Sequence, residues 1–203
     1  KLLENKDKDI HIMGLCSDGN IHAGVDDFVN MYKFLVNNGF SKIHFHLITD
    51  GRDTGVHDAM KYVNMIKDVI KEYGVGEIAS VCGRFYAMDR DENWDRTKTY
   101  YDLVTMGKGI SSINIEKSIE SSYGKGITDE FIKPIGSFKF FNLFKQSHVV
   151  PKTSCKGHIS MTMAIIQSRH YYLVFCRNYF LCVFLGYALS SNACNFAILY
   201  PDR

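Results

Sequence analysis

Several common devices are missing from this 203-residue chain, and each absence excludes something. There is no Gly-x-Gly-x-x-Gly and no Walker pattern, so a bound phosphate or carboxylate would have to be gripped by side chains rather than by a glycine-rich loop. The six cysteines form no Cys-x-x-Cys pair, which argues against a zinc site. No internal repeat occurs. No basic stripe runs along the acidic first part, which argues against nucleic acid. Acidic residues are nearly absent from the end: Asp202 is the only one after residue 136. Residues 1–136 carry 17 Lys+Arg and 21 Asp+Glu, a net of −4, whereas 137–203 carry 7 and 1, a net of +6. So abrupt a shift predicts two parts: an α/β domain over 1–136 and a divergent, irregular tail over 137–203 outside its fold.

The tail holds four of the six cysteines, Cys155, Cys176, Cys182 and Cys194. Cys16 and Cys82 fall in or beside predicted strands, where reduced, buried thiols of a cytoplasmic domain are expected. The chain opens on Lys1, as a piece or a processed form would, and its charged first nine residues do not read as a secretory signal. Tyr171 to Leu189 is the one membrane candidate. Its marginal length, and Arg177 and Asn178 near its middle, argue against a spanning helix.

Strands are expected at Asp9–Leu15, Lys42–Ile48 and Glu77–Cys82. Helices are expected at Val25–Asn38, Val56–Tyr73, Trp94–Met106 and Asn114–Tyr123. Val25, Phe28, Val29, Tyr32, Leu35 and Val36 repeat at the spacing of one buried helical face, and Gly39 and Gly74 are natural helix ends. Strand and helix alternate, which predicts a mostly parallel sheet with right-handed crossovers and helices on its faces. His44 and His46 lie on one face of the second strand. They read as surface or helix-covered positions, since no third metal ligand falls at a recognisable spacing.

Asp50-Gly51-Arg52-Asp53 organises the rest. It follows the second strand, where open α/β sheets place their ligands. His22 follows the first strand, and Arg84 and Arg90 the third. Three arginines at converging strand ends suit a small, highly charged anion, because a guanidinium grips carboxylate or phosphate with paired hydrogen bonds. The alternative is that Arg84 and Arg90 pair with Asp89, Asp91 or Glu92 in a surface loop.

These residues also carry a resemblance. The stretches are His11-Ile12-Met13-Gly14-Leu15 with Ser17-Asp18-Gly19 and His22, Asp50-Gly51-Arg52-Asp53-Thr54, and Gly83 through Asp91 with Trp94 and Arg96. Tyr123 and Gly126-Ile127-Thr128-Asp129-Glu130-Phe131 complete the set. Over residues 10 to 135 the chain resembles the substrate-binding insert domain of cofactor-independent phosphoglycerate mutases. The resemblance implies a cytoplasmic, usually monomeric enzyme that interconverts 3-phosphoglycerate and 2-phosphoglycerate in glycolysis and gluconeogenesis. It implies a phosphoserine intermediate and two divalent metal ions, usually manganese, both in the family's other domain. It places the glycerate-holding role on His22, Arg52, Asp53, Arg84 and Arg90. Asp53 would contact the glycerate hydroxyls and carry their proton, the arginines would neutralise carboxylate and phosphate, and His22 would stabilise the transferring group.

The departures define what this chain should lack. The family's metal-binding sets and nucleophilic serine find no match here, and Ser17 sits in the insert-domain loop, so it is not that nucleophile. Gly24 stands where a second histidine is often found. Of a phosphate-gripping Arg-x-Asp-Arg, only Asp202-Arg203 remains, and it lies too far along. The acid-free stretch after Phe140-Phe141-Asn142 resembles no part of the family and reads as translated non-coding sequence or an insertion. Alone, the chain should bind phosphoglycerate weakly at best and not turn it over. The alternatives are a non-catalytic anion-binding module and a protein tethered to a membrane by its tail.

Overall fold

The computed structural model describes residue 3, residues 6–141, and the backbone of 171–176 and 180–185. The elements run β1 (Asp9–Leu15), α1 (Val25–Asn37), β2 (Ile43–Thr49), α2 (Ala59–Tyr73), β3 (Glu77–Gly83), α3 (Arg84–Ala87), α4 (Trp94–Met106), β4 (Ile110–Ser112), α5 (Ile115–Tyr123), β5 (Ile135–Ser137), β6 (Tyr171–Cys176) and β7 (Phe180–Leu185). A 3-10 turn at Asp129–Phe131 precedes β5. The strands form one sheet in the order β4-β5-β3-β2-β1-β7-β6. It is mostly parallel, as expected; β5 on β3 and β6 on β7 are the antiparallel pairs.

Two successive right-handed crossovers in one direction put α1 and α2 on the same face of β1-β2-β3. Phe28, Tyr32 and Leu35 of α1 and Tyr62, Val63 and Ile66 of α2 are buried there, with Ile12, Phe45, Leu47 and Val81 of the sheet. The rings of Phe28 and Tyr32 both meet Phe45, at 6.3 and 5.4 Å. Each of these large side chains contributes about 1.5–3 kcal/mol by leaving water, so this layer supplies much of the stability. Asp27 reaches back to accept from the Gly24 amide at 3.1 Å and satisfies one unpaired donor at the start of α1. Helix α2 begins at Ala59, three residues later than its pattern suggested, and its first amide is satisfied from outside the helix, by Asp129 Oδ2 at 2.8 Å.

The opposite face carries histidines. His44 and His46 project there, as the alternation requires, and both are buried. His11 of β1 stacks against both rings, at 4.8 and 5.1 Å, and Phe140 packs edge-on over His11 and His46. A chain of bonds links His11 Nδ1 to His46 Nε2 at 2.8 Å and His46 Nδ1 to the Ser80 hydroxyl at 2.7 Å. His44 sits between Asp9 and Glu77, at 2.9 and 3.1 Å. The three rings titrate in opposite senses. Burial, and then His44, push His46 down to about 3, and burial with its histidine neighbours lowers His11. Burial also opposes charge on His44, but Glu77 and Asp9 outweigh it and raise its pKa.

Linkage gives the signs. The stability contributed by His44 is full below its unfolded pKa and fades as pH rises through the raised folded value. That of His11 and His46 is full above their unfolded pKa of about 6.5 and fades as pH falls toward their depressed folded values. Two groups against one predict a melting temperature that drops between pH 7 and pH 4. A His46→Gln variant should show a smaller drop in thermal melts. An unchanged pH slope would exclude His46 as its source.

The fold runs past residue 136. Ser137 belongs to β5, and Phe140 is 1 % exposed, so the boundary expected after Gly136 falls inside a strand. Two stretches of the 137–203 segment are also set against the sheet: β7 pairs in parallel with β1, and β6 with β7. These strands fall within Tyr171 to Leu189, the stretch weighed as a membrane candidate, whose aromatic and β-branched residues favour extended backbone. No described helix is long and apolar enough to cross a membrane. Cys155, Cys194 and Arg203 lie outside the described residues.

Candidate functional site

The carboxyl ends of β1, β2 and β3 meet as the sequence pattern required. His22, Arg52, Arg84 and Arg90 line one cleft of about 100 Å³, together with Phe85, Asp89, Arg96 and Glu130. Asp53 does not line this cleft; its carboxylate pairs with Arg84 Nη1 at 2.6 Å.

Asp50 is the centre of the arrangement, although the sequence pattern assigns it no role of its own. It is 2 % exposed. Its Oδ1 accepts from the Arg52 and Asp53 amides at 3.2 and 3.0 Å and from Arg84 Nη1 at 2.7 Å. Its Oδ2 accepts from the Ser17 hydroxyl at 2.8 Å. Burial raises the Asp50 pKa, but the Asp53 amide, Ser17, Arg84 and the Arg52 amide together hold it below the ordinary carboxylate value. Ser17 is fully buried and donates to Asp50. One carboxylate thus ties the loops after all three strands.

Arg84 is fixed. Its side chain is 7 % exposed, and Nη1 reaches Asp50 at 2.7 Å and Asp53 at 2.6 Å. The alternative pairing of Arg84 with Asp89, Asp91 or Glu92 is therefore not what forms: Asp89 instead holds Arg96 at 3.1 Å and the Asn93 amide at 2.8 Å. The Arg96 guanidinium also lies over Phe85, 4.0 Å from the ring centre, where the ring quadrupole favours a cation. Arg90 is exposed at the rim and makes no ion pair among the described residues. Arg52 is half exposed and pairs with Glu130 at 2.8 Å. His22 is kept neutral more readily than an ordinary histidine: burial and then the Arg84 charge lower its pKa, with Arg90 adding and Asp53 opposing.

The segment 128–132 crosses the ends of β2 and β3. Thr49 Oγ1 donates to the Asp129 carbonyl at 2.7 Å, and the Gly83 amide donates to Ile132 O at 2.7 Å. Asp129 accepts from the Ala59 amide and from the Tyr123 hydroxyl. Gly51 has φ +70°, and a Cβ there would lie 2.7 Å from the Glu130 amide, so the backbone here and this crossing both require glycine. Arg96 and Glu130 stood in the matched stretches without a role, because only the crossing brings Glu130 to Arg52. At Gly24 a Cβ would fall 2.4 Å from Asn20 Oδ1, a side-chain end able to swing aside.

Among the described residues no three His, Cys, Asp or Glu are grouped to hold a metal ion. His11, His44 and His46 turn ring nitrogens to one another, to Ser80 and to carboxylates, so they do not fit as a metal set.

Comparison with known proteins bears on what this cleft is. The family model described as BPG-independent PGAM N-terminus matches residues 1–146. A 2,3-bisphosphoglycerate-independent phosphoglycerate mutase of Prochlorococcus marinus (strain MIT 9313) is 43 % identical over 133 residues, 65 % of this chain and 25 % of that protein. One from Clostridioides difficile (strain 630) is 40 % identical over 152 residues, covering 68 % and 30 %. In fold, the chain resembles a crystal structure of Leishmania mexicana phosphoglycerate mutase at low cobalt concentration, with a TM-score of 0.62, 22 % identity, and 64 % of this chain and 25 % of that one covered. The chain spans about a quarter of the length of these relatives. With nearly three quarters of its length inside the matched region, the chain belongs to the BPG-independent PGAM N-terminus family.

Proposed function

We propose that this chain supplies the glycerate-holding part of a cofactor-independent phosphoglycerate mutase, an isomerase of 3-phosphoglycerate and 2-phosphoglycerate. The observation that carries the reading is the meeting of His22, Arg52, Arg84 and Arg90 in one cleft, with Asp53 bonded to Arg84. Both ion pairs of Arg84 run through Nη1, which leaves the outer side of the guanidinium for a ligand oxygen while Asp50 and Asp53 keep the group in place. Arg52 and Arg90, more exposed, would close on the remaining anionic groups. Asp53 would accept from a glycerate hydroxyl and carry its proton. An arriving anion would offset the two arginines that depress the His22 pKa, so His22 would gain a proton and donate to the transferring group.

Phosphoryl transfer relies mainly on positioning and charge stabilisation, and these side chains supply both. The phosphoserine and two metal ions, manganese in this reading, belong to a further domain. The setting would be cytoplasmic glycolysis and gluconeogenesis, with a monomeric enzyme.

The test is a mutase assay coupled to enolase, with manganese and 3-phosphoglycerate, on this chain and on the product of its full-length gene. Turnover by the full-length product, with binding but no turnover by this chain, is expected. Turnover by this chain alone would overturn the division of labour. Neither binding nor turnover in either protein would leave only an inherited fold.

A further inference from the structure

The arginines of the cleft differ in how their charge is already satisfied. Arg84 is locked by two carboxylates, and Arg96 by Asp89 and the Phe85 ring. Arg52 is held through one oxygen of one carboxylate, Glu130, and its side chain is 54 % exposed. Glu130 is the reverse: its side chain is 15 % exposed, and its backbone is clamped. The carbonyl before it is bonded by Thr49, the Asp129 amide donates to Val56 O at 2.9 Å, and its own amide lies against Gly51. A firmly mounted carboxylate therefore points into a cleft otherwise suited to anions and occupies the one arginine that is paired yet able to move.

Resting on the phosphoglycerate reading above, we propose that Glu130 is a built-in competitor for Arg52, standing where an acidic group of the substrate will sit and giving up the guanidinium when substrate enters. Asp50, Asp53, Asp89 and Glu130 already pair Arg84, Arg96 and Arg52 in the resting state. A phosphoglycerate, which carries a carboxylate and a phosphate, finds Arg90 unpaired among the described residues at the rim and the outer side of Arg84 open, and gains a further mobile cation only if one of these pairs opens. The Arg52–Glu130 pair opens most easily, because a half-exposed ion pair is worth little compared with a buried one. The exchange keeps small neutral molecules from holding the cleft in its loaded arrangement, and it lowers affinity for any anion that cannot displace a carboxylate. Glu130 thus sets specificity without touching the bound ligand.

The experiment titrates 3-phosphoglycerate, and separately inorganic phosphate, into this chain by calorimetry. Wild type is compared with Glu130→Gln, Arg52→Gln and the double variant, with thermal melts to check folding. Glu130→Gln should bind 3-phosphoglycerate about three- to tenfold more tightly, the range that removal of one partly exposed competitor provides. In the Arg52→Gln background the same change should have no effect. Glu130→Asp, whose shorter arm draws the carboxylate back from Arg52, should fall between wild type and Glu130→Gln and serves should the latter melt early. Unchanged or weaker binding by Glu130→Gln, with wild type binding, would overturn the competitor role and leave the substrate reading standing. Tighter binding that persists without Arg52 would also overturn it. Absence of 3-phosphoglycerate binding in every variant would remove both.

Discussion

Replacing Arg84 with methionine should destabilise the chain by about 3 kcal/mol and abolish measurable 3-phosphoglycerate binding. The cost comes from what the substitution leaves behind. Asp50 has a side chain 1 % exposed and would keep its charge with no cation beside it. Breaking a buried pair from one side costs roughly 3–5 kcal/mol, because the survivor stays desolvated and unpaired. Asp50 retains the Ser17 hydroxyl and the Arg52 and Asp53 amides, which sets the cost toward the lower end. Asp53, with a side chain 25 % exposed, can turn toward water and adds little. Urea unfolding of wild type, Arg84→Met, Asp50→Asn and the double variant checks this. Arg84→Met combined with Asp50→Asn should recover much of the loss, since no orphan charge remains, yet binding should stay absent. A loss below about 1 kcal/mol in the single variant would mean that Asp50 is not held by Arg84 and that the three strand-end loops are tied in some other way.

Much of this architecture was legible because it is local. Ile43, Phe45 and Leu47 alternate with His44 and His46, which fixes β2 and its two faces. Once β1, β2 and β3 are placed in parallel, the residues after each strand must meet, so the grouping of His22, Arg52, Arg84 and Arg90 follows from strand ends alone. What stayed hidden depends on contacts far apart in the chain. Asp50 reads as a turn residue; only the fold shows that Ser17 and Arg84 both converge on it. Glu130 reaches Arg52 because a 3-10 turn crosses two strand ends, and nothing in the run Thr128 to Phe131 announces that crossing. The strands Ile110–Ser112 and Ile135–Ser137 are three residues each, too short for an alternating pattern to declare itself. His11 lay outside the pattern noted for His44 and His46. Its place in the stack follows from parallel register, His11 beside His44, which a single strand cannot show.

The crossing itself can be tested at three glycines, because they separate two costs that usually arrive together. Gly74 ends α2 with φ +70°, and a Cβ there would meet nothing within 4 Å, so Gly74→Ala carries only the left-handed backbone penalty of about 1 kcal/mol. Gly83 has an ordinary extended backbone, φ −66° and ψ 145°, so alanine brings no conformational strain. Its Cβ, however, would fall 2.3 Å from Glu130 O, 2.7 Å from Glu130 C and 2.8 Å from Asp129 O. These are main-chain atoms of a clamped segment and cannot swing aside as a side chain would. Overpacking of this kind typically costs 1–3 kcal/mol and more where the neighbour cannot yield, so Gly83→Ala should lose about 3 kcal/mol. Gly51 carries both burdens, φ +70° and a Cβ 2.7 Å from the Glu130 amide, and Gly51→Ala should be at least as damaging. The order of loss in chemical unfolding should therefore be Gly74→Ala, then Gly83→Ala, then Gly51→Ala. The last two should also weaken 3-phosphoglycerate binding at temperatures where they remain folded, because pushing Glu130 off the strand ends moves the Arg52 pair that lines the cleft. If Gly83→Ala proved as mild as Gly74→Ala, residues 129–131 would have to stand clear of β3, and the placement of Glu130 beside Arg52 would lose its mechanical basis.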